Sequence, residues 1–319
     1  MRFILLFFSL FLSMSCYAWE PTKPINVLIG FSPGSGNELS FRGISSIIEK
    51  SNPKINFIIE NKPGADGVIA MNEFVKKPND GYHIYIPSHQ GIWVTAEYFN
   101  KSAVKYTLDD FEYVVSIAKS PLALIAFSGS EVNSVPDFLN KIKTTSKPIT
   151  IAAGSGAHKL AFSYMTTKVP VNTDLVKTVG YKGPAQAGQD VAGGHVEFGI
   201  IPIAVAAGIA KTGKIKILGL CSEKPILGID APLMNAWVPG MNVYAAWGII
   251  LPRNTDSQIQ KWYVDTFAKT IRSTEAKRFF DDNFMFFDET ELTPNGFKNN
   301  MLKLKDQWTP IIKTFKLEN

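Results

Sequence analysis

Two Gly-Ser-Gly tripeptides have the residue types and the setting of an anion-binding site. The first is Gly34-Ser35-Gly36 and the second is Gly154-Ser155-Gly156. Each follows a short apolar run and precedes a helix-like stretch, so each would place unpaired backbone N–H groups at the positive end of a helix dipole. Such a turn binds a phosphate or a carboxylate, and two facing turns would form a carboxylate clamp. The tripeptide is also a common tight turn, so one copy alone does not identify a site.

The first loop also contains the pattern of a serine hydrolase nucleophile. Gly30-Phe31-Ser32-Pro33-Gly34 fits G-x-S-x-G and lies between strand-like and helix-like residues. In such an enzyme the backbone N–H after the serine stabilises the oxyanion, and Pro33 has no N–H. Losing one such donor costs about 10²–10³ in rate. A hydrolase built on Ser32 therefore remains only a lesser alternative, and we interpret Ser32 as a hydroxyl that binds ligand or shapes the turn.

Other catalytic and cofactor-binding patterns are missing from the sequence. Gly34-Ser35-Gly36-Asn37 lacks the Gly-Lys-Ser/Thr ending of a P-loop, and the second tripeptide lacks the third glycine of a dinucleotide-binding loop. The four histidines, at positions 83, 89, 158 and 195, do not have metal-ligand spacing. We therefore predict no catalytic residue, no metal and no cofactor.

Residues 1–18 have the composition of a secretory signal peptide. Met1-Arg2 supplies the positive charge, residues 3–12 form an apolar core, and small residues lead to a cleavage site after Ala18. Cys16 raises the alternative of a lipoprotein, but Ser13 stands where the usual leucine would precede it by three residues. We prefer cleavage after Ala18. No later run is long and apolar enough to cross a bilayer, which predicts a soluble exported protein.

Charge and length limit the partners and the number of lobes. The formal net charge is +5 without a block of Lys and Arg, so we expect no nucleic-acid partner, whereas a small anion is compatible. With Cys16 in the leader, Cys221 has no partner for an internal disulfide and is expected in a buried strand. The 319 residues can fill two modest cores, which favours two lobes.

Apolar runs and helix-like stretches alternate along the chain, which predicts an α/β fold with mostly parallel sheets. The clearest runs are 25–30, 55–60, 84–87, 113–118, 122–127, 149–152, 196–201, 215–221 and 244–251. Ser134 is placed to cap a helix that contains Pro136, and Thr293-Pro294 is placed to begin a long terminal helix. Apolar residues at helical spacing predict a further helix from Asp256 to Ile271.

The chain lacks a low-complexity linker, so strands or short hinges are expected to join the lobes. One crossing is predicted at Lys119-Ser120-Pro121, between two apolar runs, and the other in the run that ends at Leu251-Pro252. These crossings predict a first lobe of residues 19–120 and 245–319 and an inserted second lobe of residues 121–244. The two glycine-rich loops would then face each other across a cleft.

Short glycine-containing segments are spread from about Lys23 to Trp308. They are residues 30–38, 59–67, 78–82, 153–160, 180–185, 193–198 and 247–252. Each segment alone is a weak signal, but in this order, behind a signal peptide, they resemble the Bug family of periplasmic solute-binding proteins. These proteins are the extracytoplasmic receptors of tripartite tricarboxylate transporters.

The resemblance implies a two-lobed, hinge-closing Venus-flytrap fold (type II-like), without catalysis and in the periplasm. It implies a monomer whose glycine-rich loops hold a carboxylate of the solute. The ligand-binding residues expected from the residues and the resemblance together are Phe31, Ser32, Gly34, Ser35, Gly36, Asn37, Ser88, His89, Gln90, Gly154, Ser155, Gly156, Ala157, His158, Tyr181, Lys182, Ile201 and Pro202.

The sequence departs from the family's pattern where a solute would be selected. Ser35 and Glu38 stand where the family usually has glycine and Asp, and His89, Gln90 and Trp93 replace small or polar residues. The stretch 199–202 is apolar where the family often has an acidic residue. Phe31, Trp93 and Ile200 would suit an aromatic or branched acid better than citrate.

These observations together predict a receptor that captures a small mono- or dicarboxylate, closes, and delivers it to membrane permease subunits. A sensor subunit that presents the solute to a membrane receptor is the alternative, since both roles need the same closure.

Overall fold

The structure is a computed structural model that describes residues 19–93 and 102–314. The predicted signal peptide and the lipidation alternative at Cys16 lie outside the described residues. None of the helices within the described ranges is both long and apolar enough to cross a bilayer.

Strands and helices alternate through most of the chain, as the α/β prediction requires. The strands are β1 (Ile25–Ile29), β2 (Phe57–Asn61), β3 (His83–Tyr85), β4 (Phe111–Phe127), β5 (Ile149–Ala153), β6 (Val176–Gly180), β7 (Phe198–Pro202), β8 (Ile215–Cys221) and β9 (Tyr244–Pro252). The helices are α1 (Gly36–Ser51), α2 (Val68–Phe74), α3 (Val135–Thr144), α4 (Gly156–Lys168), α5 (Pro184–Ala192), α6 (Ile203–Ala210), α7 (Ser257–Ile271), α8 (Thr274–Asp282) and α9 (Pro294–Thr314). Short 3₁₀ turns cover Ala65–Gly67, Met234–Ala236 and Glu289–Glu291.

The described strands form one mixed sheet in the order β2-β1-β3-β9-β4-β7-β5-β6, and β8 also pairs with β4. β1 is parallel to β2 and β3, and β5 is parallel to β6 and β7. Every antiparallel pairing among the described strands involves β4 or β9. The prediction of mostly parallel sheets therefore holds towards the two ends of the sheet and is wrong at its centre.

The long strand β4 joins two apolar runs that the sequence presented as separate. It extends over 17 residues, and its residues from Phe111 to Pro121 pair with β9. From Leu122 onward the strand pairs with β7 and β8 instead. Pro121 lacks an N–H for the ladder and is tolerated because it lies where the strand changes partners.

Strand β6 has no counterpart among the predicted apolar runs. It pairs with β5 and ends the sheet order, and of its five residues Val176 alone is buried. An edge strand with one buried residue does not need a continuous apolar sequence, so periodicity alone could not identify it.

Three predicted helices are confirmed, because their signals are local. The Ser134 hydroxyl accepts a hydrogen bond from the N–H of Asp137 at the start of α3. The Asp256 side chain caps α7 in the same way, accepting from the N–H of Gln258. The terminal helix α9 buries the predicted face of Phe297, Met301, Leu304 and Trp308.

The buried apolar side chains of the described residues form two clusters. The larger one extends through both predicted lobes, because it contains Phe41 and Phe267 as well as Phe138, Ile151 and Phe198. The smaller one includes Ile125, Val191 and Ile209, between β4, α5 and α6. The fold is the predicted two-lobed type, whereas the exact lobe limits remain a prediction.

Candidate functional site

A cavity of about 230 Å³ lies where four loops meet at the carboxyl ends of parallel strands. The loops follow β1, β2, β5 and β6, which is the edge where open α/β sheets bind ligands. The lining residues are Gly30, Phe31, Gly64, Ala65, Asp66, Ala153, Ser155, Lys159, Gly180, Tyr181 and Lys182. Of the predicted ligand-binding residues, Phe31, Ser155, Tyr181 and Lys182 line this cavity, whereas the tripeptide Gly34-Ser35-Gly36 does not.

A larger cavity of about 770 Å³ opens beside Lys119, Tyr244 and Phe286. Its lining contains no residue of either Gly-Ser-Gly loop. Because its lining residues do not follow the carboxyl ends of parallel strands, we take the smaller cavity as the candidate site.

The first loop holds a carboxylate of the protein itself. Ser35 caps α1, and its hydroxyl accepts a hydrogen bond from the N–H of Glu38 at 3.5 Å. The N–H of Gly34 donates to Oε2 of Glu38 at 3.0 Å, and Arg42 donates to the other carboxylate oxygen at 2.6 Å. This arrangement resembles a capping box, except that Glu38 accepts the N–H of the residue before the N-cap, and it places an internal negative charge at the start of α1.

The second loop holds two internal acceptors. The N–H of Gly154 donates to Nδ1 of His158 at 2.9 Å, and the N–H of Gly156 donates to Oδ2 of Asp66 at 2.6 Å. Burial lowers the pKa of His158 to about 3. Since Nδ1 accepts a hydrogen bond, the neutral ring carries its proton on Nε2, and His158 orders the loop from inside.

Gly154 allows two backbones to approach closely. A Cβ atom on this residue would lie 2.5 Å from the Cα and N atoms of Pro184. The N–H of Tyr181 also donates to the carbonyl oxygen of Ala153 at 3.1 Å. The loop after β5 and the turn after β6 therefore form one wall of the cavity.

Ser32 joins the first loop to the turn after β6. Its N–H and its hydroxyl both donate to the carbonyl oxygen of Lys182, at 3.4 and 3.3 Å. Gly34 approaches Ala185 from the same side, with 3.7 Å between the position of its missing Cβ and the Cβ of Ala185. The first loop thus contacts the Tyr181-Lys182 turn directly, and the Ser32 hydroxyl donates to a backbone carbonyl.

Several other predicted site residues pack beneath the loops. A Cβ on Gly36 would lie 2.0 Å from the indole of Trp247, so the first turn of α1 rests on that ring. The Asn37 amide donates to the carbonyl oxygen of Ile86 at 2.9 Å. Ala157 is buried in the first turn of α4. These residues shape the loops, and their contact with ligand stays a prediction.

The structure does not bring residues 88–90 to the lining of the cavity. His89 is fully buried against the ring of Phe297, at a centroid distance of 4.7 Å, and burial together with Lys119 holds its pKa well below its usual value. Gln90 donates to the carbonyl oxygen of Tyr244, and Ser88 forms an isolated bridge with Trp247. All three residues therefore pack around β9.

Ile201, Pro202 and Trp93 are also core residues. Ile201 and Pro202 belong to β7 and pair with Ala123 and Leu122 of β4. Trp93 is 1% exposed. Of the three residues that suggested an aromatic or branched acid, Trp93 and Ile200 are buried and explained by packing, whereas Phe31 lines the cavity.

Two charged residues of the cavity were missed as candidates. Asp66 lies in a turn after β2 with a backbone φ of 58°, and Lys159 lies in the first turn of α4. The signal for Asp66 was available in Gly64-Ala65-Asp66-Gly67, since Asp is one of the few residues that tolerate a left-handed turn.

Burial and a hydrogen bond with Asp190 raise the pKa of the neighbouring Tyr181 to about 12, so Tyr181 stays a neutral phenol.

The charged side chains of the lining are Asp66, Lys159 and Lys182, which give the cavity one net positive charge. A cavity this small, polar and positive suits a small organic anion. Within the described ranges, no three His, Cys, Asp or Glu side chains are grouped as metal ligands would be.

The chain is similar to known proteins in sequence and in fold. A sequence profile described as "Tripartite tricarboxylate transporter family receptor" matches residues 49–317. A protein of Cupriavidus necator, described as "UPF0065 protein in gbd 5'region", is 23% identical over 257 residues, which is 79% of this chain and 75% of that protein.

Two solved structures have the same fold. The periplasmic binding protein BugD has a TM-score of 0.84 at 20% identity, over 92% of this chain and 98% of that chain. The R. palustris protein Rpa4515, solved with adipate, has a TM-score of 0.84 at 22% identity, over 92% of this chain and 97% of that chain.

Proposed function

Because the chain belongs to the tripartite tricarboxylate transporter receptor family, we propose that it captures a small carboxylate between its glycine-rich loops and delivers it to a membrane permease. The family consists of solute-binding receptors and not of enzymes, and the resemblance to the Bug family is confirmed. The hydrolase alternative on Ser32 is therefore set aside.

The observation that supports this function is the cavity itself. Its volume is about 230 Å³, below the range of about 300–1,000 Å³ typical of drug-sized ligands. The cavity therefore suits a solute smaller than such ligands. It combines backbone loops at strand ends with the ammonium groups of Lys159 and Lys182. Rpa4515, a protein of the same fold, was solved with the carboxylate adipate, which supports a carboxylate here.

Closure is the second element of the proposal. The contacts of Ser32 with Lys182 and of Asp66 with Gly156 join loops on different sides of the cavity, and they support a form in which the four loops close over a ligand. Each hydrogen bond to a charged ligand group contributes about 1.5–3 kcal/mol, and bonds made only in the closed form would favour closure. Strands β4 and β9 would form the hinge. The first lobe would consist of residues 19–120 and 245–319, and the second lobe of residues 121–244. The change of partners after Pro121 supports this division.

The setting of the receptor belongs to the same proposal. A signal-peptide-like N-terminus and the likeness to a periplasmic binding protein support export to the periplasm. The receptor would act as a monomer and meet the permease subunits in its closed form.

Isothermal calorimetry with a panel of carboxylates tests the function. The panel contains succinate, adipate, hexanoate, citrate and benzoate, and the proteins are wild type, Gly154→Ala and Gly208→Ala. We expect wild type and Gly208→Ala to bind alike, because a Cβ on Gly208 would meet no atom within 4 Å. Gly154→Ala should bind about 10-fold more weakly or worse, since its Cβ displaces the Pro184 backbone from the cavity wall.

Two results would contradict the proposal. One is a folded wild-type protein that binds no member of the panel. The other is undiminished affinity in Gly154→Ala, which would remove the loops from the binding site. Small-angle scattering measures the expected closure as a decrease in the radius of gyration on ligand addition.

A further inference from the structure

The carboxylate of Asp66 occupies the helix end that the second glycine-rich loop offers to a ligand. Its Oδ2 accepts the N–H of Gly156, the first residue of α4, at 2.6 Å. Asp66 comes from the turn after β2, so this hydrogen bond joins opposite walls of the cavity. We propose, building on the proposed function, that Asp66 makes the site selective for carboxylates with a single negative charge and against dicarboxylates.

The turn that carries Asp66 is fixed in a specialised conformation. The four residues from Gly64 to Gly67 all have positive φ angles. A Cβ on Gly64 would lie 2.5 Å from Cδ1 of Ile69, and a Cβ on Gly67 would lie 2.9 Å from the Tyr85 hydroxyl. That buried hydroxyl also donates to the carbonyl oxygen of Gly67. The turn is therefore held from below and directs Asp66 towards α4.

A second negative group at this place would be unfavourable. The start of a helix attracts one negative charge, and here the protein already supplies it. A ligand carboxylate near Asp66 would face a like charge in a partly buried site, or would have to displace Asp66 from Gly156. The start of α1 is filled in the same manner by Glu38, whose carboxylate accepts the N–H of Gly34. Neither helix end is therefore an empty anion site.

The remaining charges of the lining match one ligand carboxylate. Asp66 offsets one of the two lysines, Lys159 and Lys182, and leaves one positive charge. The Lys159 side chain passes over the end of β6, with Nζ 3.5 Å from the position that a Cβ of Gly180 would take. A monocarboxylate would place its charged end towards the lysines and its uncharged end towards Asp66.

Calorimetry with ligands of equal chain length tests this selectivity. The ligands are hexanoate with adipate, and butyrate with succinate. The proteins are wild type, Asp66→Gly, Asp66→Asn and the control Asp256→Asn, in which an exposed cap of α7 loses its charge. We expect wild type and the control to bind each monocarboxylate about 10-fold more tightly than its diacid.

The Asp66 variants should lose this preference through tighter diacid binding. Asp66→Gly should change the ratio of affinities about 10-fold or more, because it removes both the negative charge and the carboxylate that accepts the Gly156 N–H at the start of α4. Asp66→Asn keeps an acceptor oxygen and tolerates the left-handed turn, so it should show a smaller change in the same direction. A general loss of structure would weaken the binding of both ligands, whereas loss of the Asp66 charge should tighten the binding of the diacid.

Amide hydrogen exchange of ligand-free protein provides a second readout. The N–H of Gly156 should exchange about 10-fold faster in Asp66→Gly than in wild type, and at the wild-type rate in Asp256→Asn. Equal affinities of wild type for hexanoate and adipate, or an unchanged ratio in Asp66→Gly, would overturn this inference alone. Absence of binding in all four proteins would overturn the proposed function and this inference with it.

Discussion

The Nζ atom of Lys119 lies 2.5 Å from Oε1 of Glu291, and both side chains are almost completely buried. Lys119 belongs to β4, shortly before the strand changes partners, and Glu291 ends the 3₁₀ turn before α9. A second carboxylate, that of Asp288, lies 3.3 Å from the same ammonium group. Burial opposes the charge of Lys119, but Tyr244, Glu291 and Asp288 together outweigh it and raise the pKa of Lys119.

Removal of one partner from this pair should be costly. Lys119→Met leaves Glu291 as a buried unpaired charge, so the free energy of unfolding should fall by about 3–5 kcal/mol in urea titrations. Lys119→Met combined with Glu291→Met should lose less than the sum of the single variants. Lys261→Met, in an exposed pair with Asp265, serves as the control and should cost about 1 kcal/mol or less. Strictly additive losses would contradict the prediction.

Alanine should have opposite effects at two helical glycines. Gly208 is exposed in α6 with open space around it, whereas a Cβ on Gly43 of α1 would lie 2.1 Å from the Phe279 ring. Gly208→Ala should raise the free energy of unfolding by about 0.5–1 kcal/mol, because alanine loses less backbone entropy in a helix. Gly43→Ala should lower it by about 1–3 kcal/mol through overpacking. Urea titration of both variants measures these changes in the free energy of unfolding, and changes of the same sign would contradict the prediction.

His158 should make the fold sensitive to acid. Its folded-state pKa of about 3 lies below the ordinary value of 6.5, so the unfolded chain binds more protons between these values. Stability is therefore fully present above pH 6.5 and falls with pH through this window, by up to about 1.4 kcal/mol per pH unit. The buried His89 contributes in the same direction, since its pKa is also lowered.

The contribution of His158 is measured by urea unfolding at a series of pH values in that window. His158→Asn offers the Gly154 N–H an amide oxygen that does not titrate there, so its stability should depend less steeply on pH. His195→Asn, at an exposed position, should keep the wild-type slope. Parallel curves for wild type and His158→Asn would contradict the prediction.

Cys221 should react with thiol reagents only when the protein unfolds. It is fully buried, burial raises its pKa to about 12, and its sulfur lies 3.7 Å from that of Met234. A protein without residues 1–18 should therefore release no thionitrobenzoate from Ellman's reagent in buffer, and should react fully in urea. Rapid labelling of the native protein would show that β8 opens locally.

Local signals were sufficient to predict several elements. Ser134, Asp256 and Thr293 marked the starts of α3, α7 and α9, because a cap and a helical apolar face lie within a few residues of each other. Strand β6 escaped detection because an edge strand needs little apolar sequence. The continuity of β4 through Pro121 also depends on which strands lie beside it, and that information is not local.

The loops of the candidate site could be located from the sequence. The protein groups that accept hydrogen bonds from the backbone N–H groups of those loops could not be predicted. Glycine spacing identified the loops that end at Gly36 and Gly156, and the structure places parts of both at one cavity. That Asp66 accepts the Gly156 N–H depends on two loops 90 residues apart in sequence. His89 was expected at the cleft only because of the family resemblance, whereas here its ring packs against Phe297.

The pairing of β3 and β4 with β9 also determines the order in which the protein can fold. β9 begins at Tyr244, so the N-terminal sheet lacks its central strand until most of the chain has been synthesised. The intervening strands β5 to β8 pair only with one another and with β4, which precedes them. Contacts between distant residues form slowly, because a long loop must close first. The polypeptide therefore remains incompletely folded until late in synthesis.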